Sequence, residues 1–417
     1  MEMNALFTQA LGLQAPWTVT STEFDVERKR LDIHVDFPRG STFPCAVCAK
    51  ACKVHDAKDH AKDQTWRHLN FFEHLCFLHA RQPRANCPEH GVKTVDVPWS
   101  RPGANFTLLF DAMVVQLGIN GLTASAIGRI VGEHDTLIWR ILEHYVGTAR
   151  ARADHAGVTK VGVDETSRAR GHVYVTLFAD LEKKRVLTVA EGKDHGTVEM
   201  FKQDLVAHGG DPNAVKEFSL DMSKAFIKGI EESFPRAELT FDKFHVIALM
   251  NDAVDQVRRA EQKDEPSLKK TRYLWLKNEE NHAEKYRELF GALKGSTLKT
   301  ARAWRIKTGL QTLYKTETAD AEIVLPLFKR WYFWATHSRL PPVAKAAHTL
   351  MENLRGLLRW FESGVTNGLL EGFNSLVQSA KAKARGFRNV NKMATVIYLL
   401  LGKFDFRLPA VLPRTYP

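Results

Sequence analysis

An α/β fold is predicted for this 417-residue chain, and three observations predict it. TKVGVDET, HVYVTLFAD and KRVLTVAE are apolar, β-rich runs separated by brief Gly- or charge-rich turns, the pattern of an antiparallel meander. HGTVEMFKQDLVAHG then carries helical spacing, AVKEFSLDM a fourth strand, SKAFIKGIEESF a second helix and AELTFD a fifth strand. Two of these strands close on acids, Asp164 and Asp221, and a third acid, Glu371, stands far downstream on a predicted helix. Three strands followed by helix, strand, helix, strand is the order of a ribonuclease-H-like domain, in which strands one and four lie side by side.

Five modules follow from the pattern along the chain. Residues 1–100 hold an apolar lead, the alternating strand RLDIHVDFP, and a Cys- and His-rich stretch from CAVC to CPEHG. So small a domain of strands and turns gains from a stapling ion. All five cysteines fall between Cys45 and Cys87, which argues for a local site rather than a disulfide framework. Residues 101–155 turn helical, and GLTASAIGRIVGEHDTLIWRILEHYVGTA places two helical segments around a polar GEHDT turn. That spacing fits a helix-turn-helix whose second helix, near Thr136–Tyr145, approaches a DNA groove, and equally an ordinary packed helix pair. Residues 156–260 are the first part of the ribonuclease-H-like domain. Residues 261–354 are charged, aromatic-studded helical segments with Trp275, Trp304, Trp331 and Trp334, read as an insertion. Residues 355–417 return the Glu371 helix to the sheet and end in a basic tail.

The formal charge is +11, from 59 Lys and Arg against 48 Asp and Glu, which favours a polyanionic partner. Strong acidic candidates inside that basic background point to an enzyme rather than a coating protein. With 44% hydrophobic content the chain can bury several cores, which excludes a disordered tail. No secretory pattern opens it, and MATVIYLLLG is too short to span a bilayer, so a cytoplasmic protein is expected.

Carboxylates at the ends of neighbouring strands can hold Mg²⁺ or Mn²⁺, and two such ions about 4 Å apart serve phosphodiester cleavage. Asp164 and Asp221 supply strand ends and Glu371 the crossing helix. Asp242, closing the fifth strand three residues before His245, competes with Asp221 as the middle acid. Each acid also has a plain reading, as a turn residue, a helix-start acid or a solvent-facing glutamate. Asn367, Glu371 and Asn374 stand at i, i+4 and i+7, one polar helical face, with Leu369, Leu370, Phe373 and Leu376 on an apolar one. Lys381, Lys383, Arg385, Arg388 and Lys392 would prolong a phosphate track from that helix, and Arg168, Arg170 and His172 would hold a strand near the first acid.

WRHLNF, CPEHGVKTVDVPW, VGVDETSRARGHVYVTLFADLEKKRVLTVAEG, SLDMSKAF, FPRAELTFDKFHV and NGLLEGFNSLVQSAKAKARGFRN follow one another in an order that resembles the bacterial insertion-sequence transposases of the ISL3 family. The resemblance runs from Cys45 to about Tyr398 and is loose in the lead and the insertion. It implies a DDE catalytic domain with divalent-metal-dependent strand cleavage and joining. It further implies recognition of double-stranded DNA at terminal inverted repeats, a target DNA, and assembly of at least a dimer on DNA. Asp164 and Glu371 carry over as first and last catalytic acids. Related groups place the middle acid on strand four with a later Asp or Cys, two residues, then His, which supports Asp221 as catalytic and Asp242 with His245 as accessory, alongside Asn367 and Asn374. The resemblance also implies a zinc segment, for which Cys45, Cys48, Cys87 and His90 form CxxC and CxxH knuckles suited to tetrahedral Zn²⁺. Cys52, His55, Cys76 and His79 are alternatives, with Cys76 reading as core. A nuclease or resolvase on the same fold, or a DNA-binding regulator with an inactive catalytic domain, are the rival readings.

Overall fold

The computed structural model describes residues 3–57, 63–169, 171, 173–316, 320–365 and 367–411. The chain divides into two compact units, one holding residues up to Ala151 and again from Tyr398, the other Arg152–Ile397.

In the first unit α1 (Met3–Ala10) precedes β1 (Thr18–Asp25), β2 (Arg30–Asp36), β3 (Thr42–Pro44), β4 (Ala51–Ala57), β5 (Gln64–Arg67), β6 (Leu75–Ala80), β7 (Pro83–Cys87) and β8 (Gly91–Thr94). They form two four-stranded sheets, β1-β2-β6-β5 and β3-β4-β7-β8. The alternation read in RLDIHVD buries Leu31, Ile33 and Val35, which pack in a core with Trp17, Trp66 and Trp99.

Three helices follow, α2 (Leu108–Ile119), α3 (Ala124–Val131) and α4 (Asp135–Ala151). Thr107 and Thr123 cap the first two by accepting from the amides of Phe110 and Ala126. The turn between α3 and α4 depends on two glycines. Gly132 ends α3 in the left-handed region at φ +77°, and a Cβ on Gly128 would lie 2.5 Å from the Glu133 carbonyl oxygen. Buried polar groups then fix the helices. Tyr145 Oη donates to Asp111 Oδ2 at 2.8 Å, with Arg101 Nε 3.3 Å away. Arg67, from WRHLNF, reaches from β5 to the carbonyls of Val131 (3.1 Å) and Cys76 (3.2 Å).

The second unit carries β9 (Lys160–Ala169), β10 (Val173–Asp180), β11 (Arg185–Glu191), α5 (His195–Ala207), β12 (Glu217–Leu220), α6 (Lys224–Ser233), β13 (Glu238–Phe241) and α7 (Lys243–Glu261). Its sheet runs β11-β10-β9-β12-β13, with β9, β10 and β11 antiparallel and β9, β12 and β13 parallel. This is the ribonuclease-H-like arrangement expected from the element order. Val161, Val163, Phe178, Phe201, Phe218 and Phe234 fill the core between sheet and helices.

Helices α8 (Arg272–Leu276), α9 (Arg287–Gly295), α10 (Lys299–Leu313), α11 (Ala321–Thr336), α12 (Pro341–Glu352) and α13 (Leu354–Ser363) come next, before α14 (Gly368–Lys383) and α15 (Val390–Leu401). Trp275, Trp304 and Trp331 are buried and join the same apolar cluster as the sheet, whereas Trp334 is 44% exposed. Among the described residues no helix is long and apolar enough to cross a membrane.

Candidate active site and zinc site

Strand register brings the first two acids together. In β12 and β9 Glu217 pairs with Lys160 and Ser219 with Gly162, so two residues further on Asp221 is level with Asp164. In β12 and β13 Leu220 pairs with Phe241, which sets Asp242 level with Asp221 on the next strand. Asp221 and Asp242 directly follow the ends of β12 and β13, but Asp164, expected to close its strand, lies midway along β9, which continues to Ala169 because it stays paired with β10. Asp221 stands between the other two.

Helix α14 lies along β9, matched residue by residue. Four helical residues advance about 6 Å and two strand residues about 6.6 Å, so i, i+4, i+8 on a helix can track i, i+2, i+4 on a strand. Here Leu370 packs on Gly162, where an added Cβ would be only 2.7 Å from Leu370 Cδ1. Asn374 Nδ2 donates to Asp164 Oδ2 at 2.7 Å, and Gln378 Nε2 donates to Thr166 Oγ1 at 2.6 Å. Glu371, on the same helix, is exposed.

The polar face read from the sequence needs correcting in detail. The helix begins at Gly368, so Asn367 stands at its cap, buried, with its amide 3.4 Å from Asp242 Oδ1 and Nδ2 3.5 Å from the Val163 carbonyl. Leu376, expected on the apolar face with Leu370 and Phe373, is 53% exposed, because the strand claims only one narrow stripe of the helix.

Burial pushes the Asp164 carboxyl up to about 6; the backbone amide of Glu165 and nearby His245 oppose this, while Asp221 and Glu165 add to it. Burial likewise raises Asp242, against the Asn367 amide and His245, with Glu371 reinforcing the rise. His245, in the first turn of α7, thus lies within electrostatic reach of both aspartates. Glu165 was missed in the sequence. Strand alternation points it away from Asp164, yet burial and Asp221 raise its carboxyl, and Lys193 pairs with it at 3.7 Å. Its signal was only its place in the DET triplet.

A crowd of acids whose protonation is favoured is short of positive charge, and this suits a divalent cation. Asp242 Oδ2, Asn367 Oδ1 and Asn374 Oδ1 are also buried without a hydrogen-bond partner. Unlike the zinc ligands below, however, the donor atoms of Asp164, Asp221 and Glu371 are not drawn to within 4.8 Å of one another.

The basic candidates divide. Arg168 Nη1 donates to the carbonyls of Phe387 (3.4 Å) and Arg388 (3.3 Å), and Lys381 Nζ donates to the Ser167 carbonyl at 2.6 Å. Arg168 ties β9 to the segment after α14, and Lys381 ties α14 back to β9, rather than pointing outward. Lys383, Arg385 and Arg388 are exposed and Lys392 half-buried, while Arg170 and His172 lie outside the described residues.

In the first unit Cys45, Cys48, Cys87 and His90 converge with donor atoms within 4.8 Å of one another. A tetrahedron with Zn–S near 2.3 Å has edges of about 3.8 Å. The observed Cys48–Cys87 Sγ separation is 3.7 Å, and Cys87 and Cys45 Sγ lie 3.6 and 4.0 Å from His90 Nδ1. The His90 contact pulls the Cys87 thiol down to about 6, toward the thiolate a metal needs. Of the alternatives, Cys52 donates to the Lys50 carbonyl at 3.2 Å, and His79 Nε2 is held by Asp32 at 2.6 Å. Burial in β6 drives the Cys76 thiol up to about 12. His55 pairs with Asp56 at 3.2 Å.

Comparison with known proteins gives three family matches along the chain. A DDE transposase model of the ISL3 type, described as "Transposase", matches residues 161–397. The chain belongs to the ISL3 family of transposases. The helix-turn-helix domain of transposase family ISL3 matches residues 95–146, and the zinc-finger of transposase IS204/IS1001/IS1096/IS1165 matches residues 42–90. Among relatives, the transposase for insertion sequence element IS1557 of Mycobacterium tuberculosis is 26% identical over 444 residues, covering 97% of each chain. The transposase for IS1001 of Bordetella parapertussis is 25% identical over 371 residues, covering 84% of this chain and 87% of its own. ISL3 membership makes this chain a metal-dependent DDE transposase with a zinc-binding segment and a DNA-binding helix-turn-helix.

Proposed function

We propose that this ISL3 transposase cuts the ends of its element and joins the freed 3′-hydroxyl to target DNA, with Asp164, Asp221 and Glu371 as its catalytic acids. The observation that carries the reading is the register of β12 on β9, which aligns Asp221 with Asp164, together with the docking of α14 across that same strand. Mg²⁺ or Mn²⁺ held by these acids would supply Lewis-acid stabilisation of the attacking and leaving oxygens. The chain's own residues prepare the place. Asn374 holds one Asp164 oxygen and so orients the other, while Asn367 and Asp242 seat the start of α14. His245 lies within electrostatic reach of Asp164 and Asp242, beside the backbone amides of Glu165 and Asn367 that hydrogen-bond them.

Residues 1–155 serve DNA recognition in this reading, with α4 offered to the major groove of terminal inverted repeats. Asp135, Thr136, Arg140 and Glu143 are among its exposed side chains and would face base edges. Lys383, Arg385 and Arg388 would grip phosphates beyond the acids, and two copies would pair the two element ends. Residues 261–354 act as an insertion framing the catalytic unit, and residues 355–397 return Glu371 to the sheet.

The test uses end-cleavage and strand-joining assays on oligonucleotides carrying the element's ends. D164N, D221N and E371Q each abolish Mg²⁺-dependent cleavage while end binding persists. Full cleavage by D221N with complete loss in D242N would reassign the middle acid. Cleavage without joining by the wild type would favour a nuclease.

A further inference from the structure

We propose that His155, Asp204 and His208 form a second transition-metal site, separate from the zinc knuckles and from the catalytic acids. Their donor atoms lie within 4.8 Å of one another, the same closeness shown by the Cys3His set. The three come from two segments that the fold presses together. Asp204 lies in the last turn of α5 and His208 caps that helix, while His155 belongs to the stretch that leads into β9.

The closeness is built, not incidental. The His155 amide donates to the His208 carbonyl at 2.9 Å. Gly209 turns the chain at φ +80°, and a Cβ on Gly210 would come within 2.5 Å of Leu205 Cδ1 and 3.1 Å of the His155 carbonyl oxygen. The lead-in is anchored from its other side as well, since Arg185 Nη2 donates to the Asp154 carbonyl at 2.7 Å. His155 is 2% exposed, so its imidazole has lost its hydration and faces the His208 ring with centroids 4.7 Å apart and planes 35° from parallel.

The chemistry of the donors selects the ligand. Two imidazoles and a carboxylate are the set that borderline divalent ions such as Zn²⁺, Co²⁺ or Ni²⁺ take, with a fourth position left for water. Outer contacts that orient such ligands are present. Thr188 Oγ1 donates to Asp204 Oδ2, and His208 Nδ1 sits 2.7 Å from the Asp204 carbonyl oxygen. An ion here would fasten the β9 lead-in to the end of α5 and stabilise the catalytic unit by mass action.

The experiment is Co²⁺ titration of the full-length protein with its knuckle zinc retained. We expect one Co²⁺ per chain beyond that zinc, with d–d absorption and no thiolate-to-metal charge-transfer band. The D164N variant binds it equally. H208Q and D204N, both at half-buried positions, weaken it by about tenfold or more, with circular dichroism confirming their fold. The proposal is overturned if the wild type takes up no such ion, if the cobalt spectrum carries thiolate bands, if D164N loses the ion, or if whichever of H208Q and D204N folds binds it as the wild type does.

Discussion

Replacing Gly162 by alanine should disable cleavage from a position that touches no DNA. The new Cβ would lie 2.7 Å from both Leu181 Cδ2 and Leu370 Cδ1. Carbon atoms prefer at least about 3.5 Å, so each neighbour must yield by about 0.8 Å. Leu181 is half-buried and can swing aside, but Leu370 is fully buried and its helix has to move. Four residues along, the 2.7 Å bond from Asn374 to Asp164 would stretch to about 3.5 Å, beyond hydrogen-bond range. Overpacking of this kind costs about 1–3 kcal/mol, readable in urea unfolding, and a misplacement near 1 Å at a reacting centre costs about 100-fold in rate. L370A removes the opposing methyls, so G162A/L370A should regain cleavage over G162A alone even though the lost leucine destabilises the fold by about 2–5 kcal/mol. Wild-type cleavage by G162A, or a defect that L370A leaves untouched, would refute the argument.

Chelating the zinc, or replacing Cys48 by serine, should make residues 42–94 protease-sensitive, as judged by mass mapping of the fragments, because so small a core needs the ion. G128A drives a methyl against the Glu133 carbonyl and should weaken end binding in a gel-shift assay by about tenfold or more, while a substrate-independent Mn²⁺-binding measurement stays unchanged. Lys307 is buried with Nζ on the Trp275 carbonyl at 2.7 Å, and burial lowers its pKa from 10.5 to about 8. Between those values the unfolded chain binds the extra proton, so stability rises with pH through that window and the cost is fully present below about 8. The drop corresponds to about 3 kcal/mol, and K307M should lack this rise when unfolding free energies at pH 7 and pH 10.5 are compared.

The fold was legible where the signal was local. Alternation in RLDIHVD and KVGVDET, glycine punctuation, and CxxC and CxxH spacing each report on a few neighbouring residues, and each produced the expected strand, turn or knuckle. What escaped depends on partners far apart in sequence. Nothing in VGVDET says that Gly162 must be bare to receive Leu370, more than two hundred residues away, nor that Asn374 belongs to Asp164. Leu376 read as core because helical spacing counts apolar residues without knowing how wide a stripe the strand will cover. Arg168 and Lys381 read as phosphate ligands because charge alone does not reveal the backbone carbonyls of Phe387, Arg388 and Ser167 that accept from them. Glu165 was hidden by alternation itself, which assigns it to the other face but not to safety from Asp221.

The middle acid turns on burial as much as on register. Asp221 is half-buried, and apart from accepting the Ser223 amide at 3.0 Å at the start of α6 it faces Asp164 across one strand spacing. Asp242 is fully buried and one strand further away, with Oδ1 toward the amide that begins α14. A carboxylate without solvent access cannot meet a phosphodiester directly, but it can set the height of the helix that carries Glu371. On this argument the two variants fail differently. D221N should weaken Mn²⁺ binding and leave no cleavage at any Mn²⁺ concentration. D242N should keep the wild-type Mn²⁺ dependence at a reduced maximal rate, since the amide side chain still accepts from Asn367. Identical Mn²⁺ curves for both variants would mean that Asp242 holds cation after all, and that the sheet opens there in the DNA-bound enzyme.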